Sequence, residues 1–113
     1  MNGLVNTLAT AIPKAHAPGA NLPAVITLTA AASVWHVVDR VTGGYTDVPT
    51  GGSLTIAATV QGTAVSQVIP ITNGGGFVLH FDPPIQGDQN TEIVITLAAG
   101  GAGISGKVNA MTR

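Results

Sequence analysis

The clearest indication of the fold comes from residues 53–71, SLTIAATVQGTAVSQVIPI. Over residues 53–60 the larger apolar side chains recur at every second position, so that one face carries Leu54, Ile56, Ala58 and Val60. A period of two is typical of a β-strand with one buried face. Gln61-Gly62 has the composition of a two-residue turn. We therefore predict a β-hairpin whose second strand covers residues 63–71.

The sequence on both sides of this hairpin has the same character. Short runs rich in Val, Ile, Thr and Phe predict further strands at residues 24–30, 34–42, 45–48, 77–81, 91–98 and 104–111. Asp82-Pro83-Pro84 is expected to end the strand before it, because proline cannot donate to a ladder inside a sheet. About eight strands at intervals of roughly 8 to 12 residues predict an all-β fold, an antiparallel β-sandwich or jelly roll.

An N-terminal arm, residues 1–23, differs in pattern from the predicted β-sandwich domain, residues 24–113. Leu4, Val5, Leu8 and Ile12 share one face at helical spacing, and Pro13 is expected to end that helix. Residues 13–23 have the composition of an extended linker. A helix this short is not stable alone in water. We therefore predict that Leu4, Val5, Leu8, Ile12 and Pro13 form an assembly interface with a neighbouring subunit.

Charged residues are rare in this chain. Lys and Arg number 4 and Asp and Glu number 5, so that 8% of the residues are charged, against about 25% in an ordinary domain. Four scattered cations are too few for a nucleic-acid interface, and no apolar stretch reaches the roughly 18 residues that cross a membrane. A surface with so little charge promotes association. We expect a homo-oligomer that binds neither nucleic acid nor membrane.

Two motifs match sites of known chemistry but lack the context that the chemistry needs. Residues 101–107, GAGISGK, match a phosphate-binding loop, which requires a helix after it, and the chain ends too soon to form one. His80-Phe81-Asp82 has the spacing of two ligands of an iron site, but no second histidine follows. The sequence has no cysteine, and its acidic residues are scattered singly. We therefore expect no catalytic residue, no cofactor and no metal.

The four aromatic residues limit any carbohydrate-binding platform to a small one. Phe77 and Phe81 fall on the inward face of a predicted strand, which leaves Trp35 and Tyr45 as candidates for surface recognition. Exposed aromatic rings provide the flat apolar surface on which sugar rings stack. A tryptophan within a predicted strand more often belongs to the core. A glycan-binding β-sandwich module is therefore an alternative function, and it requires an exposed Trp35 or Tyr45.

Four stretches of the sequence, taken together, resemble a known group of proteins. They are AVITLTAA at residues 24–31, PTGGSLTI at 49–56, FDPPIQG at 81–87 and NTEIVITLAAGGAGISGKVN at 90–109. These stretches are similar to small proteins encoded by tailed bacteriophages and prophages, some of which are virion components. The resemblance covers residues 24–109 and implies a compact β-sandwich in the virus particle. It supplies no catalytic residues.

The function that this resemblance implies is structural. We expect a capsid decoration (cement) protein on the capsid surface of the virion, bound to the major capsid protein and to neighbouring copies of itself. Proteins of this kind commonly sit on a local three-fold axis, so the expected oligomer is a trimer. A tail or head-fibre component is a further alternative. The sequence leaves open the strand order, the symmetry, and whether the arm docks on a like subunit or on capsid protein.

Overall fold

Antiparallel strands form the framework of the protein. The computed structural model describes residues 12–112, and of Ile12 and Pro13 it describes the backbone alone. The strands are β1 (Ile12–His16), β2 (Ala24–Leu28), β3 (Val37–Tyr45), β4 (Ser53–Val60), β5 (Thr63–Pro70), β6 (Gly75–Gln86), β7 (Ile93–Leu97) and β8 (Gly106–Thr112). One sheet has the order β1-β8-β3-β6 and the other β2-β7-β4-β5, which confirms the predicted antiparallel β-sandwich. The described residues include no helix that is long and apolar enough to span a membrane.

The predicted hairpin is formed by β4 and β5, which pair along their whole length. Gln61 and Gly62 make the turn with φ angles of 51° and 78°. Two positive φ angles define a type I′ turn, whose twist matches that of the strands that it joins. Of the four side chains predicted to face inward from β4, Leu54, Ile56 and Ala58 are buried, and Val60 is partly buried and packs against the core.

The core lies between β2, β7 and β4 of one sheet and β8 and β3 of the other. Its largest fully buried side chains are Leu54, Ile93, Ile95, Leu97, Val38, Val41 and Val108. Burial of one such side chain contributes about 1.5–3 kcal/mol. The Cα atoms of the two sheets approach within 8 Å where β2 meets β1 and β8, and where β7 meets β8. The two sheets are therefore in close contact on the side where β1, β2, β7 and β8 lie. β5 and β6 are the edge strands on the other side of the sandwich, and β5 is exposed over nearly all of its length.

The sandwich begins earlier than the boundary predicted at residue 24. Ile12–His16, which we expected to belong to the arm, forms β1 and pairs with β8. Pro13 is tolerated there because β1 is an edge strand, where a missing N–H needs no partner. His16 joins the two sheets, since its Nδ1 accepts a hydrogen bond of 2.9 Å from the Val25 N–H. The rest of the predicted helix, residues 1–11, lies outside the described residues.

β3 continues through Gly43-Gly44, where we expected a strand to end, and it absorbs the start of the short strand predicted at residues 45–48. The reason is that β3 lies between two neighbours, β8 and β6, at close range. A Cβ at Gly43 would collide with the Lys107 carbonyl oxygen, and one at Gly44 with the Gly75 carbonyl oxygen. The two glycines therefore serve close strand pairing rather than a turn.

β6 likewise continues through Asp82-Pro83-Pro84, which we expected to end it. Because β6 is an edge strand, the prolines need not donate hydrogen bonds to a neighbour. The pairing with β3 shifts register between Val38 and Arg40. This irregularity accommodates the two prolines within the strand.

Asp88, in the loop between β6 and β7, fixes the turn of the β4–β5 hairpin. Its carboxylate oxygens Oδ1 and Oδ2 accept hydrogen bonds of 2.8 Å from the N–H groups of Gln61 and Gly62. The Asp88 N–H donates to the Thr59 carbonyl at 2.7 Å. The loop and the hairpin tip therefore form one hydrogen-bonded unit.

We expect Asp88→Ala to lower the free energy of unfolding by about 1–2 kcal/mol. The reason is that the N–H groups of Gln61 and Gly62 lose a charged acceptor and hydrogen-bond to water instead. Urea unfolding followed by far-ultraviolet circular dichroism measures the change. Glu92→Ala, at an exposed position in the same loop, is the control and should change the stability by less than about 0.5 kcal/mol. Equal effects of the two substitutions would contradict the anchoring role of Asp88.

Candidate functional site

A groove of about 860 Å³ lies at one end of the sandwich, beside the loop that joins β2 to β3. Small-ligand sites usually occupy about 300–1,000 Å³. Four segments of the chain converge on the groove: β1, the end of β2 with the following loop and the first residue of β3, the second half of β6, and the end of β8. Its lining residues are Lys14, Thr27, Leu28, Thr29, Ser33, Val34, Trp35, His36, Val37, Pro83, Pro84, Gln86 and Thr112.

Trp35 is the largest side chain of the groove and is 52% exposed. The backbone on either side of it is held by the loop between β6 and β7. The Val34 carbonyl accepts a hydrogen bond of 3.0 Å from the Asn90 N–H, and the His36 carbonyl accepts one of 3.0 Å from the Gly87 N–H. Because the backbone is held, only the two side-chain torsions of the indole remain to be ordered when a ligand binds.

His36 closes the base of the β2–β3 loop. Its Nε2 donates a hydrogen bond of 2.7 Å to the carbonyl of Thr29. The Val34 N–H donates to the Ala31 carbonyl at 3.2 Å, and Ser33 takes the positive φ of 63° that this turn requires. With Nε2 as the donor, Nδ1 of the neutral ring is left as an acceptor. The loop thus holds an oriented imidazole next to Trp35.

The remaining lining residues combine apolar side chains with polar groups, and most of these polar groups are uncharged. Lys14 is the one Lys, Arg, Asp or Glu among the lining residues, and Thr27, Ser33 and Gln86 are neutral hydrogen-bonding residues. A large aromatic ring next to amide, hydroxyl and ammonium groups suits a ligand with one apolar face and many hydroxyl groups.

Tyr45, the second candidate for surface recognition, belongs to the core. It is 3% exposed, and its hydroxyl donates a hydrogen bond of 2.6 Å to the Ala98 carbonyl. Burial raises the pKa of the Tyr45 phenol above its ordinary value of 10.0, and a backbone hydrogen bond at Ser53 opposes this shift. Tyr45 is therefore buried and Trp35 is exposed. Tyr45 is the last residue of β3 and packs into the core, whereas Trp35 lies in the loop before β3.

The other residues singled out by the sequence do not converge on one site. His80 and Asp82 are both exposed on β6, and no group of three or more His, Asp or Glu side chains in the described part of the chain could hold a metal ion. Residues 101–107 lead into β8 rather than into a helix. Of the predicted assembly interface, Leu4, Val5 and Leu8 lie outside the described residues, as do the side chains of Ile12 and Pro13.

Sequence reasoning identified Trp35 but missed the other groove residues. Lys14, His36 and Gln86 come from three distant segments, and only the pairing of β1 with β8 and the continuation of β6 past its prolines bring them together. The adjacent pair Trp35-His36 after an alanine-rich turn was the one local signal. It indicated an aromatic group next to a polar one, but not the walls around them.

Comparison with known proteins supports the fold. No family model matches the chain, and no curated protein matches its sequence. A solved family 16 carbohydrate-binding module is similar in structure, with a TM-score of 0.52 and 11% identity over 86% of this chain and 74% of that one. PirA has a TM-score of 0.50 and 9% identity, over 90% and 94% of the two chains. The family 32 carbohydrate-binding module of C. perfringens NanJ, solved with galactose, has a TM-score of 0.49 and 16% identity, over 92% and 98%.

The stability of the protein at alkaline pH should depend on Tyr45, which is the single tyrosine of the chain. In the unfolded chain the phenol ionises near pH 10, whereas in the folded protein it stays protonated to higher pH. The unfolded state therefore loses its proton first, and the stability that comes from Tyr45 declines as the pH rises above about 10. The phenolate absorbance at alkaline pH and the Tm as a function of pH measure the two parts of this effect.

Tyr45→Phe is the control for that experiment. It should cost about 1–2 kcal/mol at neutral pH, because the Ala98 carbonyl loses its donor. It should also make the alkaline decline in Tm shallower than in the unmodified protein. An identical pH profile in both proteins would show that Tyr45 does not contribute to it.

Proposed function

We propose that this chain is a non-catalytic carbohydrate-binding module and that the groove around Trp35 holds the sugar. The observation that carries the proposal is the indole of Trp35, half exposed in a groove while its backbone is fixed by Gly87 and Asn90. A pyranose ring has an apolar face of C–H groups, which gains both buried area and aromatic contact when it stacks on an indole.

The polar residues of the groove would bind the hydroxyl groups of the sugar. A hydroxyl both donates and accepts, so a sugar site needs donors and acceptors at its rim. Lys14 and the Gln86 amide can donate, whereas the Gln86 carbonyl and Nδ1 of His36 can accept. The hydrogen bond from His36 to Thr29 orients this acceptor before the ligand arrives.

The fold is compatible with this function. A β-sandwich with the overall arrangement seen here also forms a family 16 carbohydrate-binding module. Since one fold serves many functions, the assignment of the function depends on the Trp35 groove and not on the likeness.

The decisive experiment exploits the fact that Trp35 is the only tryptophan. Titration with galactose, cello-oligosaccharides and N-acetylglucosamine oligomers should change the intrinsic fluorescence for at least one sugar. We expect Trp35→Ala to weaken binding of that sugar roughly 30-fold, as for a central aromatic contact, and Trp35→Phe to weaken it less. Isothermal titration calorimetry measures both variants, which lack the fluorophore.

Val48→Ala is the matched control, because Val48 is 61% exposed and does not line the groove. It should bind as the unmodified protein does. If Trp35→Ala keeps both the affinity and the urea transition of the unmodified protein, the sugar does not bind at Trp35. A lack of binding to immobilised neutral and acidic polysaccharides of plant, animal and bacterial origin would overturn the function itself.

The expected role as a virion decoration protein is the second candidate. The observation that favours it is the exposure of β5, an uncharged strand at a sheet edge, since a structural component of a particle needs surfaces that bind other subunits. This role predicts self-association of the purified chain without any sugar. The expected trimer and the capsid partner stay predictions from the resemblance.

A further inference from the structure

The four edge strands of the sandwich differ in how they are protected against pairing with another chain. Natural edges are protected by charge, by proline or by short length. β1 carries Pro13 and Lys14, β6 carries Asp82-Pro83-Pro84, and β2 has 5 residues. β5 has 8 residues and none of these devices before Pro70 at its end. Residues 48–81 contain no Asp, Glu, Lys or Arg at all.

The hairpin register determines which backbone groups of β5 are free. In a two-residue hairpin the residues that flank the turn, Val60 and Thr63, exchange both of their hydrogen bonds. The same phase continues to Ile71, whose N–H donates to the Gly52 carbonyl at 3.0 Å. Every second residue of β5 therefore bonds to β4. The residues between them direct their N–H and C=O groups away from the sheet, and they are Ala64, Ser66 and Val68.

Apolar side chains accompany these free backbone groups. Val68 is 61% exposed on the outer face, and Val65 is 43% exposed on the face that it shares with the core residue Ala58. Within residues 12–112 the edge thus offers both unpaired hydrogen-bonding groups and apolar surface, which are the two requirements for adding a strand.

We propose that β5 pairs antiparallel with β5 of a second copy of this chain, around a two-fold axis at Ser66. In this register Ser66 faces Ser66 of the second copy, and Ala64 faces Val68 of the second copy. All three outward-facing residues are then paired, which gives about six interchain hydrogen bonds. A register centred at Val65 leaves Val68 without a partner within β5, and one centred at Gln67 pairs Ala64 with Pro70, which has no N–H to donate. The four-stranded sheet that contains β5 then forms one continuous sheet with the same sheet of the second copy.

A second copy fits this edge better than a charged partner does. An antiparallel strand is complementary to itself, and a two-fold axis places the residue on the axis opposite its own counterpart. A charge at Ser66 would therefore face a like charge, and β5 carries no charged residue at any position. A partner strand with Lys or Glu residues would find no opposite charge there.

The test of the proposal is the native mass of the whole chain, measured by sedimentation over a range of concentrations. We expect a monomer–dimer equilibrium. Ser66→Lys should weaken the dimer roughly ten-fold or more, because two ammonium groups meet at the axis. Ser66→Thr should leave it intact, since it adds no charge and suits a strand. Val78→Lys, at a valine of β6 that is also 61% exposed, should likewise have no effect.

Cross-linking tests the register independently, because the chain has no cysteine of its own. Facing residues of a hydrogen-bonded antiparallel pair have Cα atoms about 5.5 Å apart, which a disulfide can span. Ser66→Cys should therefore oxidise to a covalent dimer. Val68→Cys should not, since the two copies of that residue are offset by about 13 Å along the strands.

Three outcomes would overturn the proposal. One is a monomer at every concentration, and another is a trimer whose mass Ser66→Lys does not change. The third is a covalent dimer that forms from Val68→Cys or from Val78→Cys as readily as from Ser66→Cys. Each variant is checked by its urea transition, so that loss of the dimer is separated from loss of the fold.

Discussion

The packing of two half-buried sheets along β2, β7 and β8 is the interaction on which the rest of this structure depends. Every second side chain of these strands is buried, and the sheets approach most closely there. The hydrogen bond from the Val25 N–H to His16 closes the same side. β5 and β6 lie at the other side of the sandwich as edge strands, and the segments that join the strands form a groove at one end.

The loop between β6 and β7 connects the groove around Trp35 with the hairpin that carries β5. Asp88 binds the hairpin turn through its side chain, while the N–H groups of Gly87 and Asn90 hold the backbone that flanks Trp35. A single four-residue segment, residues 87–90, therefore fixes the tip of the β4–β5 hairpin and the aromatic wall of the groove. A substitution that changes the conformation of this loop would therefore affect both the hairpin tip and the groove.

The sequence predicted those elements whose cause is local. The alternation in β4 and the Gln61-Gly62 turn gave the hairpin, and short apolar runs gave the all-β class, because period and turn chemistry act over a few residues. The errors share one cause, which is the neighbouring strand. Gly43-Gly44 and Pro83-Pro84 look like strand ends in isolation, but one pair lies where adjacent backbones are too close for a Cβ and the other lies on an open edge. The groove around Trp35 could not be predicted, because its walls come from segments that only the folded chain brings together.

The pairing of β1 with β8 places Ile12 opposite Thr112, so the chain enters and leaves the described body at adjacent points. A body with adjacent entry and exit can be inserted into a surface loop of another protein, or can have its ends joined and be reopened elsewhere, without a change in its strand pairing. Lys14 and Thr112 also line the groove, so whatever is attached at this point would lie next to the groove opening. The geometry of attachment therefore limits the directions from which a large ligand could reach the groove.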